Sequence, residues 1–542
     1  MTSEPIPSHH ANISNQHHHE LSPLLVSSES SSIDDHHHHH HHDHRKRREA
    51  SRTEMDQWLV SSSGSASVLQ TMINLAKTCM GTGCLALPFA AQQGGLLLYT
   101  VGTIAIAVWN VFSSKRLVDC LELLSTISTK DVDDNGDDHH HDGYDPTNQL
   151  QPDQHRELDA APEEHPNCCC PKTAIPSLTL RSQNHHHHPP PGTATLGILA
   201  WYGMGPWGLT ALDIMTVILL LGIITAYQDA MQSFLKDTPL TTRSDLLDAA
   251  FIALMMAPLS IVPNMGYLSK ISAAGLTVLA TAFCVIAGYG MVEYDARRHS
   301  DHANDPANDR ITLYWLPQNG LTGISHWFGC TVFGFGVVPL TFNFRESMAE
   351  PNKLVGATTM ALIGVAVCYI IVGIGLWILY PNIEGDVLHE LPSRGILPMV
   401  TRLAMVLVVL VTAPLLIVPC GELIEGKFLT TTDSTPSSYK LKIMTRFGIC
   451  FITVGISVGV PGFVYVLSFV GCFCVALVSF CIPPLLHLLL LTGGNGRQRR
   501  PRRYRLIPWT VYAMDSVMFL WGITATAIST MYTFHNVLPK TS

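Results

Sequence analysis

Two short runs built around glycine and proline have the spacing to hold a small zwitterion with backbone groups alone. The first reads Asn74-Leu-Ala-Lys77-Thr-Cys-Met-Gly81-Thr82-Gly83-Cys-Leu-Ala-Leu-Pro88, and the second reads Cys330-Thr-Val-Phe333-Gly334-Phe335-Gly336-Val-Val-Pro339. Each places Gly-x-Gly ahead of a proline inside an apolar stretch, which removes side-chain packing and one amide donor from a helix. Amides that begin the helix half after Gly83 would carry partial positive charge and could receive a carboxylate. Carbonyls freed around Gly334 to Gly336 could accept from an ammonium group. Glycine also serves close packing in membrane helices, and a lone proline can produce a plain kink. The matched pair is what points to a site.

The elements that carry these runs are set by composition. The 542 residues are 47% hydrophobic and only 14% charged, where about 25% charged is usual for a soluble domain. An all-α integral membrane protein is expected. Stretches of about 20 apolar residues cross the bilayer core, and eleven are read at 67–93, 96–112, 209–234, 245–262, 268–292, 324–344, 355–380, 396–420, 441–459, 464–491 and 508–532. The fourth and ninth are the shortest. The two glycine–proline runs then fall in the first and sixth spans, each opening a five-helix half, with the eleventh span as an extra helix. Interrupted spans in corresponding positions of two halves are the sequence pointer to a transport site, because broken backbone survives in a membrane only where protein or a wet cavity covers it.

About three-quarters of the Lys and Arg residues fall on one side if the N-terminus is cytosolic, which orients the chain and leaves the C-terminus extracytosolic. Domain organisation follows: a polar cytosolic tail at 1–66, spans one and two over 67–127, a His- and Asp-rich cytosolic loop at 128–196, the remaining spans over 197–535 and a short extracytosolic tail at 536–542. The tail and loop lack apolar periodicity and are expected to be disordered. They carry the excess acidic charge, so no basic patch favours a nucleic-acid partner. No signal peptide precedes the first span, which is expected to act as an uncleaved signal. The His runs 36–42 and 185–188 could bind zinc weakly, but the spans lack ligands repeated one turn apart, and no metal site is expected. Cys168 to Cys170 could be palmitoylated or remain free thiols. No nucleophile, base and orienting group converge in any motif, so no enzyme and no cofactor are expected.

At these residues the chain resembles the amino acid/auxin permease family of transmembrane amino acid transporters. Four blocks carry the likeness: 74–88; 333–340 with Met348-Ala-Glu-Pro-Asn352; Arg402-Leu-Ala with Thr412-Ala-Pro-Leu-Leu-Ile-Val-Pro419; and Val460-Pro-Gly-Phe-Val-Tyr-Val-Leu-Ser-Phe-Val-Gly471 with Phe480-Cys-Ile-Pro-Pro-Leu-Leu-His487. The resemblance implies an eleven-helix, five-plus-five inverted-repeat fold and secondary active transport of an amino acid. It implies that Gly81, Thr82 and Gly83 hold the substrate carboxylate, while Phe333, Gly334, Phe335 and Gly336 hold the amine and flank the side-chain pocket. In relatives that use sodium, the cation lies between the turn before the first break and a Thr of the eighth span, which here are Lys77 and Thr412. Relatives with Lys at the first position resemble the proton-coupled branch, so a proton is favoured as coupling ion over sodium. A Thr hydroxyl can also bond its own helix carbonyl, and a wet vestibule could solvate Lys77.

A neutral amino acid is expected as substrate, since no charged side chain in the motifs is available to pair with a charged one. Asp213, Asp229 and Asp515 are the other ionisable residues in or near spans and could titrate during transport. Glu20-Leu-Ser-Pro-Leu24-Leu25 resembles an acidic dileucine signal read by sorting adaptors, favouring a vacuolar or lysosomal membrane over the cell surface. Two other readings stay open: an amino-acid-sensing receptor or scaffold with a transporter fold, and a metal-ion transporter.

Overall fold

A computed structural model of the chain describes residues 64–133, 193–242, 244–261, 265–300, 313–383, 385–428, 436–460, 462–493 and 508–537. Among them the structure is helical apart from turns, short linking segments and one isolated parallel bridge between Ala66 and Met348. In order the α-helices are α1 (Val68–Cys79), α2 (Leu87–Asp133), α3 (Thr195–Met204), α4 (Pro206–Lys236), α5 (Asp245–Leu259), α6 (Met265–Ser300), α7 (Gly320–Gly334), α8 (Thr341–Ser347), α9 (Leu354–Leu379), α10 (Ile396–Thr412), α11 (Pro414–Phe428), α12 (Pro436–Gly459), α13 (Phe463–Val470), α14 (Ile482–Thr492) and α15 (Trp509–Val537). The chain is an all-α, multi-pass membrane protein.

Among the described residues, nine helical runs are long and apolar enough to cross a bilayer, against the eleven separate spans expected. Both departures have a local cause. The first two expected spans form one continuous run, Thr82–Leu124, bent at Gly95, whose φ of 71° is open to glycine without strain. The bend frees two amides, and a passing segment takes them: Leu96 donates to the Tyr314 carbonyl and Leu97 to that of Trp315. The fourth expected span is α5, only 15 residues long. Helix α2 also runs past the expected end at 112 to Asp133, and α3 begins at Thr195, so both enter the expected loop; residues 1–63 and 134–192 lie outside the described residues.

Burial separates the centre of the bundle from its rim. The apolar window of the sixth span is 67% buried and that of the tenth 78%, against 17% for α15. The glycine-bearing sixth span is therefore central and the last helix peripheral. Helices meet closely at the centre through small residues: a Cβ on Gly329 would collide with the Ser468 carbonyl, and one on Gly471 with the Gly329 carbonyl. The tenth span loosens into π-helical turns at Gly471–Val475 and Leu477–Cys481 at this crossing, a form often found at functional positions. Leucines, isoleucines and methionines stay exposed on the rim, as for Ile104, Ile363, Leu407 and Leu520, because the solvent there is lipid.

Candidate substrate site

The first span breaks where its sequence loses side chains. Helix α1 ends at Cys79, Met80 leaves helical geometry with ψ of 64°, and Gly81 is extended before a 3-10 turn over Thr82–Ala86. The amides of Thr82 and Gly83 stand at the head of that turn, where a helix has no carbonyl of its own to offer them. Pro88 lies in the first turn of α2, where its missing amide costs nothing. The sixth span repeats the pattern: α7 ends at Gly334, Phe335 to Val337 form a turn, and a 3-10 segment Val338–Leu340 containing Pro339 leads into α8.

Most of the expected site residues come together across the gap between these breaks. A Cβ on Gly83 would lie 2.9 Å from Phe333 Cδ1, so the two runs touch there. Gly81 is the open position, its nearest neighbour in that direction being the Tyr227 hydroxyl at 3.9 Å. Thr82 is buried beside the same phenol. Two expected residues turn away. Phe335 is fully buried against the Tyr369 ring, with centroids 5.1 Å apart. Gly336 faces Val475 of the tenth span. They shape the break from behind.

The residue that joins the two breaks is Tyr369 on α9, which sequence reading missed. Its hydroxyl lies 2.7 Å from the Cys79 carbonyl and 3.0 Å from the Gly334 carbonyl, the last carbonyls of the two half-helices. A phenol has one proton to donate, so it serves one carbonyl fully at a time. Tyr99 in turn donates to the Tyr369 carbonyl at 2.7 Å. The only sequence signal would have been that tyrosines buried in a membrane need a partner for their hydroxyl. A second tie lies at the far end of the half-helices, where the Ala66 amide donates to Ser347 and the Ala349 amide to Ala66, both at 3.0 Å. A third ties α2 to the segment after α9: Gln92 Nε2 donates to the Pro381 carbonyl at 2.6 Å, and its Oε1 accepts from the Ile383 amide.

Lys77 lies half-buried in the last turn of α1, just before the break, where helix carbonyls favour a cation. The Thr412 hydroxyl ends α10 and donates to the Val408 carbonyl at 2.7 Å, the bond within its own helix that its residue type permits. Glu20, Leu24 and Leu25 lie outside the described residues. Asp213 pairs with Lys427 at 3.2 Å, Asp229 is hydrogen-bonded by Ser457, and Asp515 lies against Arg116 and His487. His326 is packed edge-on between Phe89 and Tyr465, a core position.

The arrangement offers amide donors at one break, carbonyl acceptors at the other and an aromatic wall at Phe333. Comparison with known proteins identifies the family of the chain. The family described as transmembrane amino acid transporter protein matches residues 64–138 and 177–528. The chain is similar to the amino acid transporter AVT3C of Arabidopsis thaliana, 20% identical over 38% of this chain and 42% of that one. It is also similar to the lysine histidine transporter-like 3 of Arabidopsis thaliana, 27% identical over 27% of this chain and 31% of that one. Each likeness covers less than half of the relative's length. With the family match covering most of the chain, the chain belongs to the transmembrane amino acid transporter family, the amino acid/auxin permease group that its four motif blocks resemble.

Proposed function

We propose that the protein is a secondary active transporter that moves neutral amino acids together with protons by alternating access. The observation that carries this reading is the meeting of two broken helices through Tyr369. Thr82 and Gly83 amides would take the carboxylate, and the carbonyls near Gly334 would take the ammonium once Tyr369 yields one of them. Family membership supports the substrate class. The proton is favoured by Lys77, whose ammonium can stand where a sodium ion would and carries an exchangeable proton. With the N-terminus cytosolic, Glu20, Leu24 and Leu25 would recruit sorting adaptors to hold the protein in a vacuolar or lysosomal membrane. An unchanged distribution after replacing Leu24 and Leu25 by alanine would remove that compartment assignment.

The test is uptake of labelled alanine, proline, lysine and glutamate into proteoliposomes holding the full chain. Alanine or proline uptake that rises with an imposed acid-outside gradient, and is unaffected when choline replaces sodium, is the expected result. The relative named for lysine and histidine makes lysine the natural counter-substrate: lysine uptake without alanine uptake would overturn the neutral assignment. Loss of uptake in choline would return the cation to the neighbourhood of Thr412.

A further inference from the structure

Away from the contact of Gly83 with Phe333, four charged or chargeable side chains form a line of successive contacts, three of them buried and Asp119 partly exposed. Asp119 Oδ2 is 3.1 Å from an Arg116 terminal nitrogen, Arg116 Nε is 2.7 Å from Asp515 Oδ1, and Asp515 Oδ2 is 2.6 Å from His487 Nδ1. Asp515 is completely buried and His487 is 4% exposed. The line joins three spans: Arg116 and Asp119 on α2, His487 on α14 and Asp515 on α15. It lies on elements whose residues Leu117, Leu121, Leu199, Leu486 and Leu490 belong to one apolar cluster, which also takes in Val338 and Phe342 just past the second break.

Charge order along the line is the informative feature. Asp119 and Asp515 are anions when ionised and Arg116 is always a cation, so the sequence of signs is minus, plus, minus, followed by an imidazole. Signs alternate to the end only when His487 carries a second proton. Coulomb attraction grows as the local dielectric falls, and a buried carboxylate shared by two cations is better compensated than one held by Arg116 alone. Other titratable groups on the elements packed here are Cys120 on α2, Tyr202 on α3, Cys481 at the head of α14 and Tyr512 on α15, none of which is ordinarily charged near neutral pH. Lys115 and Glu122 share α2 with Arg116 but are exposed.

We propose that His487 and Asp515, held by Arg116, form a proton-binding site apart from the substrate gap, whose occupancy sets how firmly the second span is held to the tenth and eleventh. The site goes beyond the coupling assigned to Lys77 and does not depend on it. Binding a proton completes the alternating line and tightens the three-span contact. Releasing it leaves Asp515 to Arg116 alone.

Thermal melting of the purified full chain in detergent tests this without substrate or gradient, so symport can fail while the site stands, and the reverse. Wild type should lose about 2 to 4 °C in melting temperature as pH rises from about 5.5 to 8, relative to His487→Gln, which keeps a hydrogen-bonding side chain but cannot titrate there. The two curves should approach each other at the high end. Parallel curves, the result of a purely structural role, overturn the proposal. If His487→Gln is not recovered as a monodisperse protein, Asp515→Asn is read in the same way: loss of the pH-dependent difference supports the site, and a wild-type slope overturns it.

Discussion

Glycines at the first break have different neighbours, and this separates their roles. A methyl group at Gly81 meets nothing nearer than the Tyr227 hydroxyl at 3.9 Å, whereas at Gly83 it presses on the Phe333 ring at 2.9 Å. Overpacking of this kind costs about 1–3 kcal/mol. Gly83→Val should abolish uptake at near-normal expression, and Gly81→Ala should keep a measurable fraction; equal loss in both, by initial-rate uptake, would remove the distinction. Lys77 is the other residue with a separable effect. Lys77→Ala or Lys77→Asn should flatten the pH dependence of uptake by more than it changes the substrate KM, and an unchanged pH profile would exclude it from coupling. These residues were readable in the sequence because backbone chemistry is written in glycine spacing and a lone cation in an apolar helix stands out. Tyr369 was not, since its partner at Cys79 lies 290 residues away.

Helices were readable wherever apolar length alone decides them, and less so where a contact from elsewhere in the chain does. Gly95 turns one long helical run, and only the passing segment at Tyr314 and Trp315 explains why the freed amides are tolerated. Two ties between elements lead to predictions. Tyr369 holds the first, sixth and seventh spans at one oxygen, and Tyr369→Phe leaves two buried carbonyls without that donor, a loss of about 1–3 kcal/mol. Melting should fall, and KM should change more than in a variant of equal stability away from the gap; a stability loss with KM intact would make the tie structural. Arg402 on α10, 2% exposed, is 3.1 Å from Asp237 and donates to the carbonyls of Leu388, Leu391 and Pro392. It pins the segment that follows the seventh span, on which Asp386 also accepts from Ser233. Breaking a buried pair from one side costs about 3–5 kcal/mol, here reduced because Asp237 is partly exposed. Arg402→Met should therefore lower the melting temperature clearly and open the 385–395 segment to protease, and wild-type protection would show that other contacts hold it.

At the scale of the whole molecule, topology turns on α5. Its 15 residues span about 22 Å, short of the roughly 30 Å hydrocarbon core. Its surface chemistry still favours lipid. One face, with Ala249, Ile252, Ala253 and Met256, is buried against its neighbours, and the other presents Leu246, Leu247, Phe251, Leu254 and Met255 outward. A helix apolar on all sides has no face for water. Its first turn carries the polar contacts instead: Asp248 accepts from the hydroxyls of Thr241 and Thr242 and from the Thr242 amide, and a short span can be accommodated by local thinning of the bilayer. If α5 crosses, the bent run at Gly95 counts as two passes and the total is odd, so the termini face opposite sides. If it does not, they face the same side. In sealed vesicles of known orientation, a tag on the N-terminus should be cut by protease added on the cytosolic side, while a tag on the C-terminus should survive until detergent is added. Simultaneous cleavage of both tags would mean that α5 turns back, and the inversion of every later span would undo the Lys and Arg bias on which the orientation rests.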